Sequence, residues 1–386
     1  MRHNLRHLRV FLAVAEAGSV TRAAASAHLS QPAVTQAISK LEAALGVALF
    51  DRSPHGLFPT PAGETFRLRV QRAFALLDRV VAEIAPRLQL TITAAQTEAL
   101  IAVSDAENFT LAAKRLGLAQ PTVHRAITQL EQDAQRKLFE RTALGTVATR
   151  LGHSLAQAAR LALAELSQAE AELAELRSES AGKIVIGAMP LSRSHILPTA
   201  IVKFQQERQG QTILITEGPY AELLSGLRRG EIDFLIGALR YPVPIDDVEQ
   251  RELFQDTAVM IGRPGHPIFG KGQADLAQLA QYPWVVSPPA TPIRNHFDRL
   301  FGEQGLVPRQ LVEAGSLILM REILNETDYL GFASGGQVRA EIARGLLRRI
   351  DFDLTATRRP IGLTTRSGWL PTPAQRLLIQ TIENAA

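Results

Sequence analysis

The chain repeats itself. Residues 8–53 and 97–142 align without a gap at an offset of 89, and 17 of the 46 aligned positions are identical. The match is tightest between Ser30-Gln-Pro-Ala-Val-Thr-Gln-Ala-Ile-Ser-Lys-Leu-Glu42 and Ala119-Gln-Pro-Thr-Val-His-Arg-Ala-Ile-Thr-Gln-Leu-Glu131. It continues to Leu49-Phe-Asp-Arg52 and Leu138-Phe-Glu-Arg141. Such an offset exceeds the roughly 20–50 residues of solenoid repeats, so it marks two copies of one small domain. The whole chain has 386 residues, room for roughly two or three domains of about 150 residues. Hydrophobic residues at 46% and charged residues at 21% describe a globular composition.

Each copy reads as three short helices and a turn-rich segment. In the first, Leu5, Leu8, Phe11, Leu12 and Ala15 keep helical spacing and Gly18 is placed to end that helix. Thr21 is expected to cap an alanine-rich second helix running to Leu29, and Ser30 to cap a third with Pro32 in its first turn. On that third helix Val34, Ile38 and Leu41 form the inward stripe. Gln31, Ala33, Thr35, Gln36, Ser39 and Lys40 share the outer face, which is polar enough to enter a DNA major groove. Residues 50–60 carry the turn signals of a β-hairpin wing, with Arg52 and His55 available to phosphate.

The order of these elements, with Phe11-Leu-Ala-Val-Ala-Glu-Ala-Gly-Ser-Val-Thr-Arg-Ala-Ala24, Leu49-Phe-Asp-Arg52 and Pro59-Thr-Pro-Ala-Gly-Glu64, resembles the winged helix-turn-helix of the LysR-type transcriptional regulators of bacteria. The resemblance covers residues 5–64 and implies DNA contacts at Gln31, Pro32, Ala33, Thr35, Gln36, Lys40 and Arg52, with His55 at a basic wing position. Members of that family normally carry one such domain per chain, and here there are two. The second keeps its core and its Gln120-Pro121 start, but Ala119 replaces the cap Ser30 and Gln135 replaces Gly46, which weakens its turn chemistry. Its outer face offers Thr122, His124, Arg125, Thr128 and Gln129, with Arg141 at the wing. Arg125 suits guanine or phosphate, so DNA binding by this copy is expected, against the alternative of a degenerate copy kept for packing or dimerisation.

Apolar stripes follow both copies. Phe66, Val70, Phe74, Leu77, Val80, Val81 and Ile84 mark one linker helix, and Leu155, Ala159, Ala162, Leu166, Ala169, Leu173 and Leu176 another with a coiled-coil spacing. Each stripe needs a partner, and the two are expected to pair with each other within one chain. A dimer then presents four recognition helices.

Beyond residue 182 the pattern turns to alternating strands and helices, which predicts parallel sheets covered on both faces. Lys183-Ile-Val-Ile-Gly-Ala-Met-Pro190, Leu227-Arg-Arg-Gly-Glu-Ile-Asp-Phe-Leu-Ile-Gly237 and His266-Pro267 resemble the effector-binding domain of the same regulators, a relative of the type 2 periplasmic binding fold. Tyr282-Pro-Trp-Val-Val-Ser-Pro-Pro-Ala-Thr-Pro-Ile-Arg294 is similar to the subgroup of galactose- and aromatic-acid-related regulators.

The expected layout is a winged helix over 1–60, a linker helix over 61–90, a second winged helix over 91–150, a second linker over 151–180 and an α/β effector domain over 183–386. Within the last, lobe I takes about 183–261 and 346–386 and lobe II about 262–345. Ligands of open α/β sheets lie beyond the strand carboxyl ends. That rule nominates Met189, Pro190, Leu191, Ser192, Arg193, Leu239, Arg240, Ala290, Thr291, Ser334 and Gly335 for an effector such as an organic acid, an aromatic acid or a sugar.

Composition sets the exclusions. With no cysteine, disulfides and thiol chemistry are ruled out, and the nine histidines show no metal-ligand or catalytic spacing, so neither a cofactor nor an enzymatic activity is expected. The net charge of +4 conceals an asymmetry: residues 1–90 hold eleven basic against six acidic side chains, and residues 151–182 two against five. No apolar run or leader-like start suggests a membrane, so a cytoplasmic, nucleoid-associated regulator is expected, with double-stranded DNA, RNA polymerase and further copies of itself as partners. The alternatives are a transporter's solute-binding protein, which shares the two-lobed fold, and an architectural DNA binder.

Overall fold

The computed structural model describes residues 4–53, 56–143, 145–177, 182–270, 274–289 and 291–386. The chain divides into two compact units, Met1–Gly182 and Lys183–Ala386. Among the described residues no helix is long and apolar enough to cross a membrane.

The first unit is helical. Helices α1 (Leu5–Ala17), α2 (Val20–Ser26) and α3 (Gln31–Leu45) lead into the hairpin of β1 (Phe50–Ser53) and β2 (Gly56–Pro59), and then into the long α4 (Pro61–Ile84). After the single turn α5 (Leu88–Thr91), the same sequence of elements recurs as α6 (Ala94–Ala106), α7 (Phe109–Leu116), α8 (Gln120–Ala134), β3 (Phe139–Thr142), β4 (Gly145–Ala148) and α9 (Arg150–Leu176). Gly18 ends α1 in the left-handed region, as its position in the sequence requires. The cap of α2 is Ser19 rather than Thr21. Ser19 has the extended backbone of a cap and accepts from the amide of Arg22, which places Thr21 inside the first turn.

The wings of the two copies are held identically. Glu42 Oε1 accepts from the amides of Leu49 and Phe50 at 2.8 and 3.3 Å, and Glu131 Oε1 from Leu138 and Phe139 at 2.8 and 3.1 Å. Thr60 caps α4 through the amide of Gly63 and also donates to Ala48 O, and Thr149 does the same with Gly152 and Lys137 O. A Cβ on Gly63 would stand 2.0 Å from Leu49 O, and one on Gly152 2.1 Å from Leu138 O. That glycine lets each linker helix start against its own wing. The second wing keeps this frame without the first copy's prolines because Thr149 and Gly152 carry it.

Weaker turn chemistry in the second copy is visible as geometry. Ala119 makes no side-chain cap bond, and Gln135 is held at φ 51°, where Gly46 sits at 67°. Replacing Ala119 with serine and Gln135 with glycine is each expected to stabilise this unit by about 1 kcal/mol, and urea unfolding followed by helical circular dichroism checks it.

Helices α4 and α9 pack along their lengths, so the two linkers do pair within one chain. They run antiparallel: Arg69 reaches Glu172 while Arg72, one turn on, reaches Glu165. Phe66, Val70, Ala73, Phe74, Leu77 and Val81 are buried against Leu155, Ala159, Ala162, Leu166, Ala169 and Leu173 in a core continuous with both winged helices. Arg69 lies inside it with none of its side chain accessible. Its Nε and Nη2 donate to Glu172 at 3.0 and 2.7 Å, and Nη1 to Glu165 at 2.9 Å and to Gln168 at 2.8 Å. Burial opposes the charge of Arg69, and the bonds to Glu172 and Glu165 outweigh it and raise its pKa.

The described residues of the second unit form two five-stranded sheets. In the first, β5 (Lys183–Ala188), β6 (Thr212–Thr216) and β7 (Phe234–Ala238) are joined by β14 (Arg359–Arg366) and β8 (Val248–Asp256) in the order β6-β5-β7-β14-β8. The second contains β9 (Ala258–Gly262), β10 (Pro283–Val286), β11 (Gln310–Glu313), β12 (Leu330–Ser334) and β13 (Arg348–Arg349) in the order β11-β10-β12-β9-β13. The covering helices include α10 (Pro190–Ser194), α11 (Ile196–Glu207), α12 (Tyr220–Arg228), α13 (Leu276–Ala280), α14 (Pro292–Gly302), α15 (Leu317–Glu326), α16 (Gly335–Ala343) and α17 (Pro373–Glu383).

The exchanges between sheets fall outside the expected lobe boundaries at 261 and 346. Strand β9 pairs antiparallel with β12, and β13 with β9, so both belong to the second lobe. The chain therefore crosses at Thr257 and again between Arg349 and Arg359. Strand β8, an edge strand rich in charged residues, has no alternating apolar pattern to announce it.

Candidate functional site

Both recognition faces stand outward. On α3, Gln31, Pro32, Thr35, Gln36 and Lys40 are exposed and Ala33 half-buried, while Val34, Ile38 and Leu41 point into the core. Ser30 Oγ caps the helix through Ala33 N at 3.3 Å. Arg52 is exposed on the wing, and His55 lies outside the described residues. The pKa of His7 is lowered by burial first and then by the positive fields of Lys40 and Arg6, so the end of α3 near Lys40 carries positive potential.

On α8 the counterparts Gln120, Pro121, Thr122, His124, Arg125 and Gln129 are exposed, as is Arg141 on the second wing. Gln120, Pro121, His124, Arg125, Thr128, Gln129 and Gln132 line one shallow depression. His124 is braced by the Phe109 ring, 5.2 Å away between centroids, and lies 3.4 Å from Thr128 Oγ1. The amide nitrogen of Gln129 donates to Asp133 at 2.9 Å, which leaves the amide oxygen as the outward acceptor. Both faces thus present donors and acceptors on a helix whose inner side is fixed by a core.

In the second unit α10 of lobe I packs on α16 of lobe II, which brings the nominated segment 190–193 to the helix that Gly335 opens. Leu191 lies against Gly336, and Arg339 Nη1 is 3.1 Å from His195 Nε2. Several nominees are occupied by the scaffold. Ser192 is fully buried with its hydroxyl on Met189 O at 2.8 Å and Ile236 O at 3.3 Å. Ser334 caps α16 through Gln337 N, Gly335 N donates to Thr257 O, and Leu239 N to Pro360 O. Thr291 caps α14, Pro190 opens α10 with Met189 as its cap residue, and Arg193 pairs with Glu217. Ala290 lies outside the described residues.

Arg240 differs. Its guanidinium lies over the Tyr220 ring at 4.5 Å, its backbone amide donates to Gln250 Oε1 at 3.0 Å, and among the described residues no carboxylate pairs with it. Arg240 Nε, Tyr220 Oη and Gln250 Nε2 are all buried and have no hydrogen-bond partner among the described residues. Burial lowers the Arg240 pKa against the opposing effect of Tyr220, and burial raises that of Tyr220. Three unmet polar groups in one place are costly unless something fills them. The sequence nominates Arg240 alone of the three, because Tyr220 and Gln250 lie on different elements and share no motif with it.

A buried pair at the strand crossings was missed as well. Arg359 Nη2 donates to Asp256 at 2.6 Å, and Asp256 Oδ1 accepts from Gly336 N at 3.1 Å, so one carboxylate ties both crossing strands to α16. Burial lowers the Arg359 pKa and Asp256 counters it.

The architecture is therefore that of a DNA-binding, ligand-sensing regulator: paired winged helices followed by a two-lobed α/β unit. The helix-turn-helix model of bacterial regulatory proteins of the lysR family matches twice, at residues 5–64 and 94–153, and the LysR substrate binding domain model matches residues 177–386. The HTH-type transcriptional regulator GalR of Pseudomonas putida is 34% identical over 383 residues, covering 98% of this chain and 96% of the relative. The regulator YdcI of Escherichia coli is 28% identical, but covers only 74% of this chain against 93% of its own length. Among solved structures, ArgP from Mycobacterium tuberculosis superposes with a TM-score of 0.57 at 18% identity over 75% of this chain and 96% of its own. The full-length CbnR complex with its target DNA superposes at 0.51 and 21% identity over 75% and 99%. The chain belongs to the LysR family of transcriptional regulators. This membership removes the transporter reading.

Proposed function

We propose that both winged helices bind DNA, and that the cleft of the second unit takes a small anionic effector that controls transcription through them. The regulator is cytoplasmic, acts at the nucleoid and self-associates. The observation that carries the reading is the duplicated frame: the second copy retains the wing clamps of Glu131 and Thr149 and exposes a polar face with Arg125 at its centre. A copy kept only for packing has no need of an ordered wing. Phosphate contacts dominate such affinity, so binding falls steeply with salt. Salt titration of full-chain binding to its promoter tests both copies. Arg52→Ala and Arg141→Ala should each lower the slope of log K against log salt by about 1, and an unchanged slope for Arg141→Ala contradicts a DNA role for the second wing.

For the effector, the unmet groups of Arg240, Tyr220 and Gln250 call for an acceptor-rich partner, and a carboxylate supplies two oxygens to a guanidinium. Among simple probes, sodium benzoate is expected to raise the melting temperature of the effector unit and galactose is not. A saturating ligand at 100 times its Kd stabilises by about 2.7 kcal/mol. Arg240→Leu should abolish the shift while leaving basal DNA binding intact, and a shift that survives the change places the anion elsewhere.

A further inference from the structure

The two recognition helices agree where they face inward and differ where they face outward. Val34 and Val123, Ile38 and Ile127, and Leu41 and Leu130 repeat in the core. Outside, Thr35 is replaced by His124, Gln36 by Arg125 and Lys40 by Gln129. Glutamine is suited to the N6 and N7 edge of adenine, and arginine to O6 and N7 of guanine. The scaffold is thus duplicated while the reading edge is not.

The linker network is equally unsymmetrical. Shifted by the repeat offset, Arg69 corresponds to Ala158, and Glu165, Gln168 and Glu172 correspond to Leu76, Arg79 and Glu83. In the antiparallel geometry of the pair, two copies of α4 would set Arg69 against Leu76, Arg79 and Glu83, trading one carboxylate for a like charge. Two copies of α9 would bury Glu165 and Glu172 opposite Ala158. Each like-with-like pairing leaves buried charge uncompensated, whereas the unlike pair closes the network with Arg69 between both glutamates. Equivalent helices packed antiparallel relate their winged domains by an approximate two-fold axis, so their half-sites on a duplex are inverted.

We infer that this network commits each pair of winged helices to one α3 and one α8, and that the pair reads two inverted half-sites of unlike sequence. The half-site under α3 carries an adenine read by Gln36, and the half-site under α8 a guanine read by Arg125. The inference rests on the reading that both copies bind DNA.

Selection of preferred sequences from a pool of randomised duplexes, using the full chain and its Arg125→Gln and Gln36→Ala variants, tests it. The unmodified chain should enrich inverted half-sites that differ in sequence. Arg125→Gln should shift base preference in the guanine half alone, with affinity for the original site falling about tenfold to a hundredfold. Gln36→Ala should relax the other half alone. Identical half-sites that both shift with Arg125→Gln overturn the inference, because they require like-with-like pairing. A selected site that ignores Arg125→Gln altogether overturns instead the reading beneath it, since the second copy then does not touch bases.

Discussion

Arg69→Met is expected to destabilise the N-terminal unit by about 3–5 kcal/mol. The substitution keeps the length and apolar stem of the side chain, so the loss comes from Glu165 and Glu172, which are left buried without their cation. Arg72 still reaches Glu165 at 3.0 Å, so Glu172 suffers more. The change can be followed separately from the rest of the molecule. Both tryptophans, Trp284 and Trp369, lie in the second unit, so urea unfolding seen by fluorescence should be unaltered. The helical circular dichroism transition should move to lower urea. The triple change Arg69→Met, Glu165→Leu and Glu172→Leu removes all three charges together and should recover most of the loss, because a buried ion network is weak evidence of net stabilisation. A single-variant loss below about 1 kcal/mol would show the network to be solvated.

Arg125→Ala and Gln36→Ala are each expected to weaken operator binding by about 1–3 kcal/mol, the worth of a good bidentate base contact. Neither side chain supports the core, since both stand exposed, so folding and thermal stability should be unchanged. The two losses should add in the double variant, because separate helices hold them. A normal footprint for Arg125→Ala argues against a reading role for the second copy.

How much of this was legible beforehand depends on the kind of signal. The repeat carried the N-terminal unit: its identical positions include Val34, Ile38, Leu41, Glu42 and Leu49, which are the residues that build the core and clamp the wing. The apolar stripes of α4 and α9 announced that they needed a partner, but Arg69 did not announce itself. An arginine amid a helical pattern reads as surface, and only the three-dimensional meeting with Glu165 and Glu172 shows that it is buried. In the second unit the buried strands β5, β7, β10 and β12 were readable as apolar runs. The exposed edge strand β8 was not, and the crossing at Thr257 went with it. The effector candidates are the least legible: rules about strand ends nominate Ser192 and Ser334, whose hydroxyls serve the backbone. Tyr220 and Gln250 come together with Arg240 only through the fold.

One chain is expected to supply two DNA-reading winged helices held together by its own linker helices. Counting protected half-sites per bound chain, by footprinting the promoter complex and weighing the same complex by native mass spectrometry, tests it most directly. Two protected half-sites for every chain is the expected result. One half-site per chain, with protection lost on mutating α3 and untouched on mutating α8, would contradict it.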